Sequence, residues 1–293
     1  MSALDAIERQ DDRRVFTQAL GWKVFTYAVL IIGSVISLVP FFWMMMKSVM
    51  TLGESLGATI IPSEIHLENF AIAWNEAQFS RYMLNSVVIT VMTLGGELVF
   101  SIMAAYAFAK MQFPGRNVIF GVLLSSMMIP GMVTMIPNLL TVTWFGRVGP
   151  IAWIDNWPAL TIPFMGSVFS VFLLRQFFAQ IPDELFDAAR IDGAGHIRIL
   201  LQIVLPLSKA PILVIVVLSF IGTWNALAWP LLVTNSLDWL PIAVGLLNFI
   251  DDGGSNLNLI MAGAFITIIP ILVMYFFTQR QFTESIARSG LKG

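Results

Sequence analysis

Long stretches without a single charge dictate what this chain can fold into. Val24 to Met46, Asn117 to Gly146, Asn156 to Leu174 and the window between Lys209 and Asp238 carry no Asp, Glu, Lys or Arg, and Tyr82 to Ala109 carries only Glu97. A bilayer core takes roughly 20 consecutive apolar residues per helix, and several such windows exceed what one soluble core could bury. Only 12% of the residues are charged and 57% are hydrophobic, against roughly 25% charged in an ordinary soluble domain. The chain is therefore read as an all-α integral membrane protein.

Six spans are expected. The first is Val24 to Met46 and the second Tyr82 to Ala109; the third, within Asn117 to Gly146, ends or kinks near Pro130 or Pro137. Asn156 to Leu174 gives the fourth, the Lys209 to Asp238 window the fifth, and the run from the Asp251-Asp252-Gly253-Gly254 loop to Gln279 the sixth. Leu240 to Ile250 is too short to cross and is expected at the interface or dipping into a protein-lined cavity. Residues 1–23 form an N-terminal segment, read from Ser2 to Lys23 as a short surface helix. Residues 24–280 form the membrane domain and 281–293 a tail. The first apolar run begins too late and is too long for a cleavable export signal, so it is expected to remain as an anchor.

Orientation follows from where Lys and Arg sit, because basic residues are retained on the cytoplasmic side. With the N-terminus inside, the inner segments carry Arg9, Arg13, Arg14, Lys23, Lys110, Arg116, Arg175, Arg190, Arg198, Lys209, Arg280, Arg288 and Lys292, and the outer ones only Lys47, Arg81 and Arg147. Thirteen against three places both termini in the cytoplasm, in a multi-pass protein of the cytoplasmic membrane. Trp144, Trp153, Trp157 and Trp239 fall in outer loops, where an interfacial aromatic belt would put them.

Several functions drop out. A net charge of -2 offers no global excess of cations for nucleic-acid phosphates. The absence of cysteine removes thiolate nucleophiles and Cys-based metal sites, and His66 and His196 have no ligand-spaced companions. No Gly-rich loop ending in Gly-Lys-Ser/Thr is present to cradle ATP, and neither a Gly-x-Ser-x-Gly elbow nor a His-Glu-x-x-His pair suggests an enzyme. An ion-coupled secondary transporter or channel remains as the rival class, since six helices and an intramembrane carboxylate suit it.

The most informative segment is the inner loop Ile181 to Ser208. Pro182 suits a helix start, with Asp183 and Glu184 where the helix dipole favours negative charge, and the helix is expected to run to about Ile191. Gly193 fits the left-handed residue that stops a helix, and Ile197, Leu200, Leu201 and Val204 recur beyond it at helical spacing. The product is a helix-turn-helix elbow whose short first helix can dock in a partner's groove.

This loop resembles that of binding-protein-dependent ATP-binding-cassette importer permeases, which reads Glu-Ala-Ala, three residues, Gly, nine residues, then Ile-x-Leu-Pro. The match here is Asp187-Ala188-Ala189, Gly193, Ile203, Leu205 and Pro206, with Asp187 in place of the usual Glu. Phe113-Pro114-Gly115-Arg116, Trp224-Asn225, Trp229-Pro230 and the terminal Ser289-Gly290-Leu291-Lys292-Gly293 are similar to the carbohydrate branch of that family, the maltose-type permeases; Ala226 stands where relatives often carry an acid. The resemblance implies a type I importer permease fold with a cytoplasmic coupling helix. It also implies ATPase coupling through Asp187, Ala188, Ala189, Asp192, Gly193 and Pro206, and alternating access for a sugar or oligosaccharide. The implied partners are a second homologous permease, two copies of a cytoplasmic ATP-binding subunit carrying the ATP and Mg, and an extracytoplasmic solute-binding protein. No cofactor is expected on this chain.

Three further groups are candidates. Glu97 either faces the translocation path or a second permease, or pairs with a Ser, Thr or amide of a neighbouring helix. Trp224 and Asn225 either contact a sugar, ring face to C–H surface and amide to hydroxyl, or pack between helices. Asp251 and Asp252, in an outer loop with no basic residue, are expected to contact the solute-binding protein.

Overall fold

The computed structural model describes residues 3–76, 78–251 and 254–290, with side chains described over 21–75, 78–247 and 256–279. The chain is helical nearly throughout. The long α1 (Ala3–Ser48) is followed by two short outer helices, α2 (Leu52–Leu56) and α3 (Glu68–Glu76), then by the long α4 (Phe79–Lys110). Next come α5 (Arg116–Ser125), α6 (Gly131–Val148), α7 (Trp157–Thr161), α8 (Val168–Ala179) and α9 (Asp183–Ile191). A continuous coil of α10 (His196–Ile199), a π-helical stretch at Leu200–Val204 and α11 (Leu205–Leu207) leads to α12 (Lys209–Trp224). Finally come α13 (Ala228–Val233), α14 (Ile242–Gly245) and the long α15 (Leu257–Gly290). Among the described residues the one strand pairing is a two-residue antiparallel ladder, Ile250 opposite Ser255 and Asp251 opposite Gly254.

Four segments are long and apolar enough to cross a membrane: Gly21–Ser48, Phe79–Lys110, Trp157–Ala179 and Leu257–Gln279. Two bent pairs bring the total to six, Arg116–Met128 with Gly131–Val148 at 106° and His196–Leu207 with Lys209–Trp224 at 80°. The third span, expected to end or kink near Pro130 or Pro137, breaks at Pro130 into two helices. Ahead of Pro130, Ile129 leaves the helical region (φ -83, ψ 118), as sterics before a proline demand. Pro137, by contrast, sits inside α6 without ending it.

Two more expectations are corrected. The N-terminal segment is not a separate surface helix: α1 runs unbroken from Ala3 through the first span to Ser48. The fifth window is not one helix to Asp238 either, because α12 stops at Trp224, Asn225 takes a non-helical conformation, and the chain restarts only at Ala228. The Leu240 to Ile250 stretch does dip into protein, with Ile242 and Val244 buried in one cluster with Phe79, Tyr82, Trp224 and Leu259.

The helices divide into an inner core and a periphery. α4 is the central element, packed against α8, α12 and α14, while α1 lies along α15. None of the first apolar window is buried within the chain, and Val24, Phe25, Leu30, Ile36 and Phe42 all point outward, so this face is left for lipid or a partner helix. The outer loops are tied by polar contacts. The Lys47 ammonium, 1% exposed, donates to the carbonyls of Glu54, Gly57 and Thr59 and lies over the Trp43 ring. Hydrogen bonds from Ser63 and Thr51 hold the Glu54 carboxyl down at about 2. Asp155 accepts from the backbone N–H of Asn235 and Ser236; burial works against its charge, yet these bonds hold it below the usual carboxylate range.

Close approach of α14 to α4 depends on Gly245, where a Cβ would fall on the Tyr82 ring, a rigid neighbour. Gly245→Ala is therefore expected to cost about 1–3 kcal/mol through overpacking, lowering the thermal unfolding midpoint of the detergent-purified protein by several degrees. An unchanged midpoint would show that α14 is free to shift.

Candidate functional site

Two places on the chain bring functional residues together, and α4 touches both. The first is the elbow. Phe186 and Ala189 turn the buried side of α9 into a cluster with Ala105, Tyr106, Leu174, Phe178, Ile199 and Val204. At its C-terminus, Gly193 N–H donates to Arg190 O and Ala194 N–H to Ala189 O, the two bonds of a Schellman motif. That motif needs a left-handed residue, and Gly193 has φ +76. Asp192 caps the helix, its N–H donating to Ala188 O. The elbow thus ends at Ile191 and turns at Gly193, as the sequence predicts.

Beyond the turn, Pro206 lacks an N–H and would crowd the carbonyl of Gln202. The helix accommodates it by widening into the π-helical stretch Leu200–Val204 immediately before it. After Ser208 the chain bends by 80° into α12.

Two α4 side chains fasten the elbow. Lys110 Nζ donates to Ile181 O and to Asp183 Oδ1, both at 2.7 Å, and lies 4.4 Å from the Phe186 ring centre. The hydrogen bond and charge of Lys110 hold the Asp183 carboxyl below its ordinary range. Tyr106 Oη sits 3.1 Å from His196 Nδ1, so this histidine, exposed as expected, also ties the turn to α4. The outward side of the elbow shows Leu185, Asp187, Ala188, Ile191 and Ile197, and Ile191 is 87% exposed. Asp187 accepts from Arg190 Nη1 at 3.1 Å. An exposed pair of this kind contributes little, up to about 1 kcal/mol, so Asp187 is available to another cation. Sequence reasoning passed over Ile191 and Leu185; their apolar character among charges was the signal.

The second place is a cavity of about 380 Å³ in the membrane domain. Its wall gathers the interruptions in the spans: Phe164, Gly166 and Ser167 from the break before α8, Thr223 and Ala226 from the end of α12, and Trp229 and Pro230 from α13. α4 supplies Ser86, Ile89, Thr93 and Glu97. Irregular backbone at membrane depth is tolerated where it lines a cavity or is buried in protein. Glu97 is 4% exposed, accepts from Ser170 Oγ at 2.6 Å and also borders the cavity. The pairing with a serine of a neighbouring helix is therefore the alternative observed.

The other sequence candidates lie elsewhere. Trp224 is 1% exposed, donates from Nε1 to Thr267 O, stacks on Phe220 and lies outside the cavity wall. Its indole packs between helices and does not reach solute from this cavity. Asn225 donates to Ile221 O, ends α12 and is likewise outside the wall. Trp229 is the tryptophan of the cavity, its indole N–H donating to Ala159 O and its ring edge-on to Phe164. In the outer loop, Asp238 is not unpaired: Arg81 at the start of α4 donates to it. Asp251 belongs to the short ladder, its side chain outside the described set, and Asp252 lies outside the described residues altogether. No group of three metal-binding side chains occurs among the described residues.

The family model described as "Binding-protein-dependent transport system inner membrane component" matches residues 97–284, a stretch that holds both the elbow and much of the cavity wall. The chain belongs to this family. The sn-glycerol-3-phosphate transport system permease protein UgpE of Escherichia coli O1:K1 / APEC is 33% identical over 276 residues, covering 91% of this chain and 96% of its own length. The same-named protein of Yersinia pestis bv. Antiqua (strain Antiqua) is 32% identical over 279 residues, covering 92% and 97%. Among solved structures, a bacterial ABC transporter involved in import of the acidic polysaccharide alginate superposes with a TM-score of 0.78 at 22% identity over 88% of this chain and 95% of that one. That likeness fixes the fold of an importer permease. Membership sets aside the ion-coupled transporter or channel and makes this chain a multi-pass inner-membrane transport permease.

Because Lys110 anchors α9 through a charged pair and a ring contact, Lys110→Met is expected to raise amide hydrogen exchange over 183–191 by about tenfold or more. Exchange over α12 should stay unchanged. Equal protection in variant and wild type would remove Lys110 as the anchor.

Proposed function

We propose that this permease imports a carbohydrate across the cytoplasmic membrane by alternating access, driven through the elbow by a partner ATPase. The observation that carries the reading is α9: a short helix fastened to the membrane domain on one side, and on the other offering Leu185, Ala188 and Ile191 beside Asp187. Exposed apolar residues rimmed by charge fit a groove in a soluble partner. The α4 contacts give that partner a lever on the cavity wall.

In this reading a second homologous permease completes the path. Two copies of the ATP-binding subunit hold ATP and Mg, and an external binding protein delivers solute; one solved relative of this fold is described in complex with an alginate pentasaccharide-bound periplasmic protein. Both termini are cytoplasmic. Contacts across the chain support this sidedness, since Arg81 pairs with Asp238 and Lys110 with Asp183, each within one side of the charge count. ATPase closure reopens the cavity outward and hydrolysis resets it inward, which requires the ATPase to bind the two states differently. Asp187, Ala188, Ala189, Asp192, Gly193 and Pro206 form or shape the coupling segment, and Asp251 and Asp252 are placed at the binding protein.

The test is co-purification from native membranes in mild detergent, wild type against Gly193→Asp. A non-glycine residue at φ +76 costs about 1–2 kcal/mol, and the variant is expected to lose the ATPase or its solute-stimulated hydrolysis. If the wild-type protein brings no ATPase and uptake follows an ion gradient, the reading fails. A second test reverses charge at Asp251 and Asp252, with lower stimulation by the binding protein as the expected result. Unchanged uptake would move the contact elsewhere.

A further inference from the structure

One face of α4 is polar through the middle of the membrane. Ser86, Thr90, Thr93, Glu97 and Ser101 recur at steps of four, three, four and four, so they share one side of the helix. None is more than 4% exposed. Ser86 is used by the backbone, accepting from Ile242 N–H, and Glu97 by Ser170. Thr93, 1% exposed, is a residue of the cavity wall, and its Oγ1 has no hydrogen-bond partner among the described residues; neither have Thr90 Oγ1 and Ser101 Oγ.

Several hydroxyls on other spanning helices instead return to a carbonyl four residues back, as Ser34, Thr141, Thr161 and Thr267 do. A buried hydroxyl left unpaired costs about 1–3 kcal/mol. Thr93 bears that cost while facing a cavity that also presents Thr223 and the ring of Trp229. Hydroxyl donors and acceptors beside an aromatic surface suit a molecule with many hydroxyls and exposed C–H faces. Among the described residues of this chain the wall holds no Lys, Arg or His, and Glu97 is its sole ionisable group. This wall therefore offers an entering phosphate or carboxylate no counter-charge for the water it loses.

We propose that this cavity wall is a solute subsite on this chain, with Thr93 and Glu97 binding hydroxyls of a neutral polyhydroxylated solute, and that it disfavours anionic solutes such as phosphate monoesters. The proposal rests on the importer reading and narrows its solute.

The absence of cysteine from the sequence makes the test direct. In native-membrane preparations of the full assembly, Thr93→Cys is treated with neutral hydroxyethyl and anionic sulfonatoethyl methanethiosulfonate, and modification is read from the mass of this chain. Rates are normalised to Asn235→Cys, an exposed outer-loop position. The neutral reagent is expected to react about tenfold or more faster than the anionic one, the ratio that corresponds to about 1.4 kcal/mol of charge exclusion. Maltose at tens of millimolar should slow the neutral reaction, and sn-glycerol 3-phosphate should not. Reaction with neither reagent would mean dry packing and overturn the subsite. Equal rates, or protection by sn-glycerol 3-phosphate alone, would overturn the solute class. Retention of the ATPase, scored on the same preparation, is independent of these rates, so failure of the importer reading is seen separately.

Discussion

Everything in this chain is arranged around one requirement: backbone N–H and C=O groups have no water to bind inside a bilayer. Long helices meet it alone, which is why α1, α4 and α15 run as far as they do. Where the chain breaks helix, something else must supply partners. At the outer surface the Lys47 ammonium gathers three carbonyls of the loop that follows α1. Within the membrane domain, Ser167 Oγ accepts from Ser170 N–H to restart α8, and Ser86 Oγ accepts from Ile242 N–H where α14 begins. Two of the breaks, before α8 and between α12 and α13, meet at one cavity, where irregular backbone is tolerated.

α4 links that cavity to the elbow. Its middle carries Thr93 and Glu97 and its inner end carries Tyr106 and Lys110, which hold His196, Ile181 and Asp183. A helix is stiff over this length, rising about 1.5 Å per residue. α8, packed against α4, carries Ser170 against Glu97. In the proposed mechanism this stiff helix is what would carry a displacement of α9 to the cavity.

The elbow was legible in the sequence because its signals are local: Pro182 at a helix start, acids in the first turn, Gly193 at the stop. So were the first, second and sixth spans, whose apolar runs are continuous. The break in the third was signalled by Pro130, before which Ile129 bends through sterics; the fifth was not legible, because an uninterrupted hydrophobic window says nothing of where a helix turns, and Asn225 ends α12. Glu97 was visible as an intramembrane carboxyl, but its partner Ser170 lies 73 positions away, a distance no spacing rule bridges. For Trp224 the alternative of packing between helices is the one seen, and Trp229 is the indole on the cavity wall, since the sequence cannot show which of two nearby indoles borders a void. The polar stripe on α4 was readable in principle, at helical spacing, yet only packing reveals that three of its hydroxyls lack partners.

The nearly bare Ile191 side chain carries a consequence for how the protein must be made. An isoleucine standing out from a charged helix at the water-facing end of the elbow is the kind of feature that chaperones and membrane proteases read as an unfinished surface. In the proposed assembly a partner subunit would cover that side chain, and a chain made without the partner would leave it bare: the same residue that would seat a partner would make an orphan conspicuous.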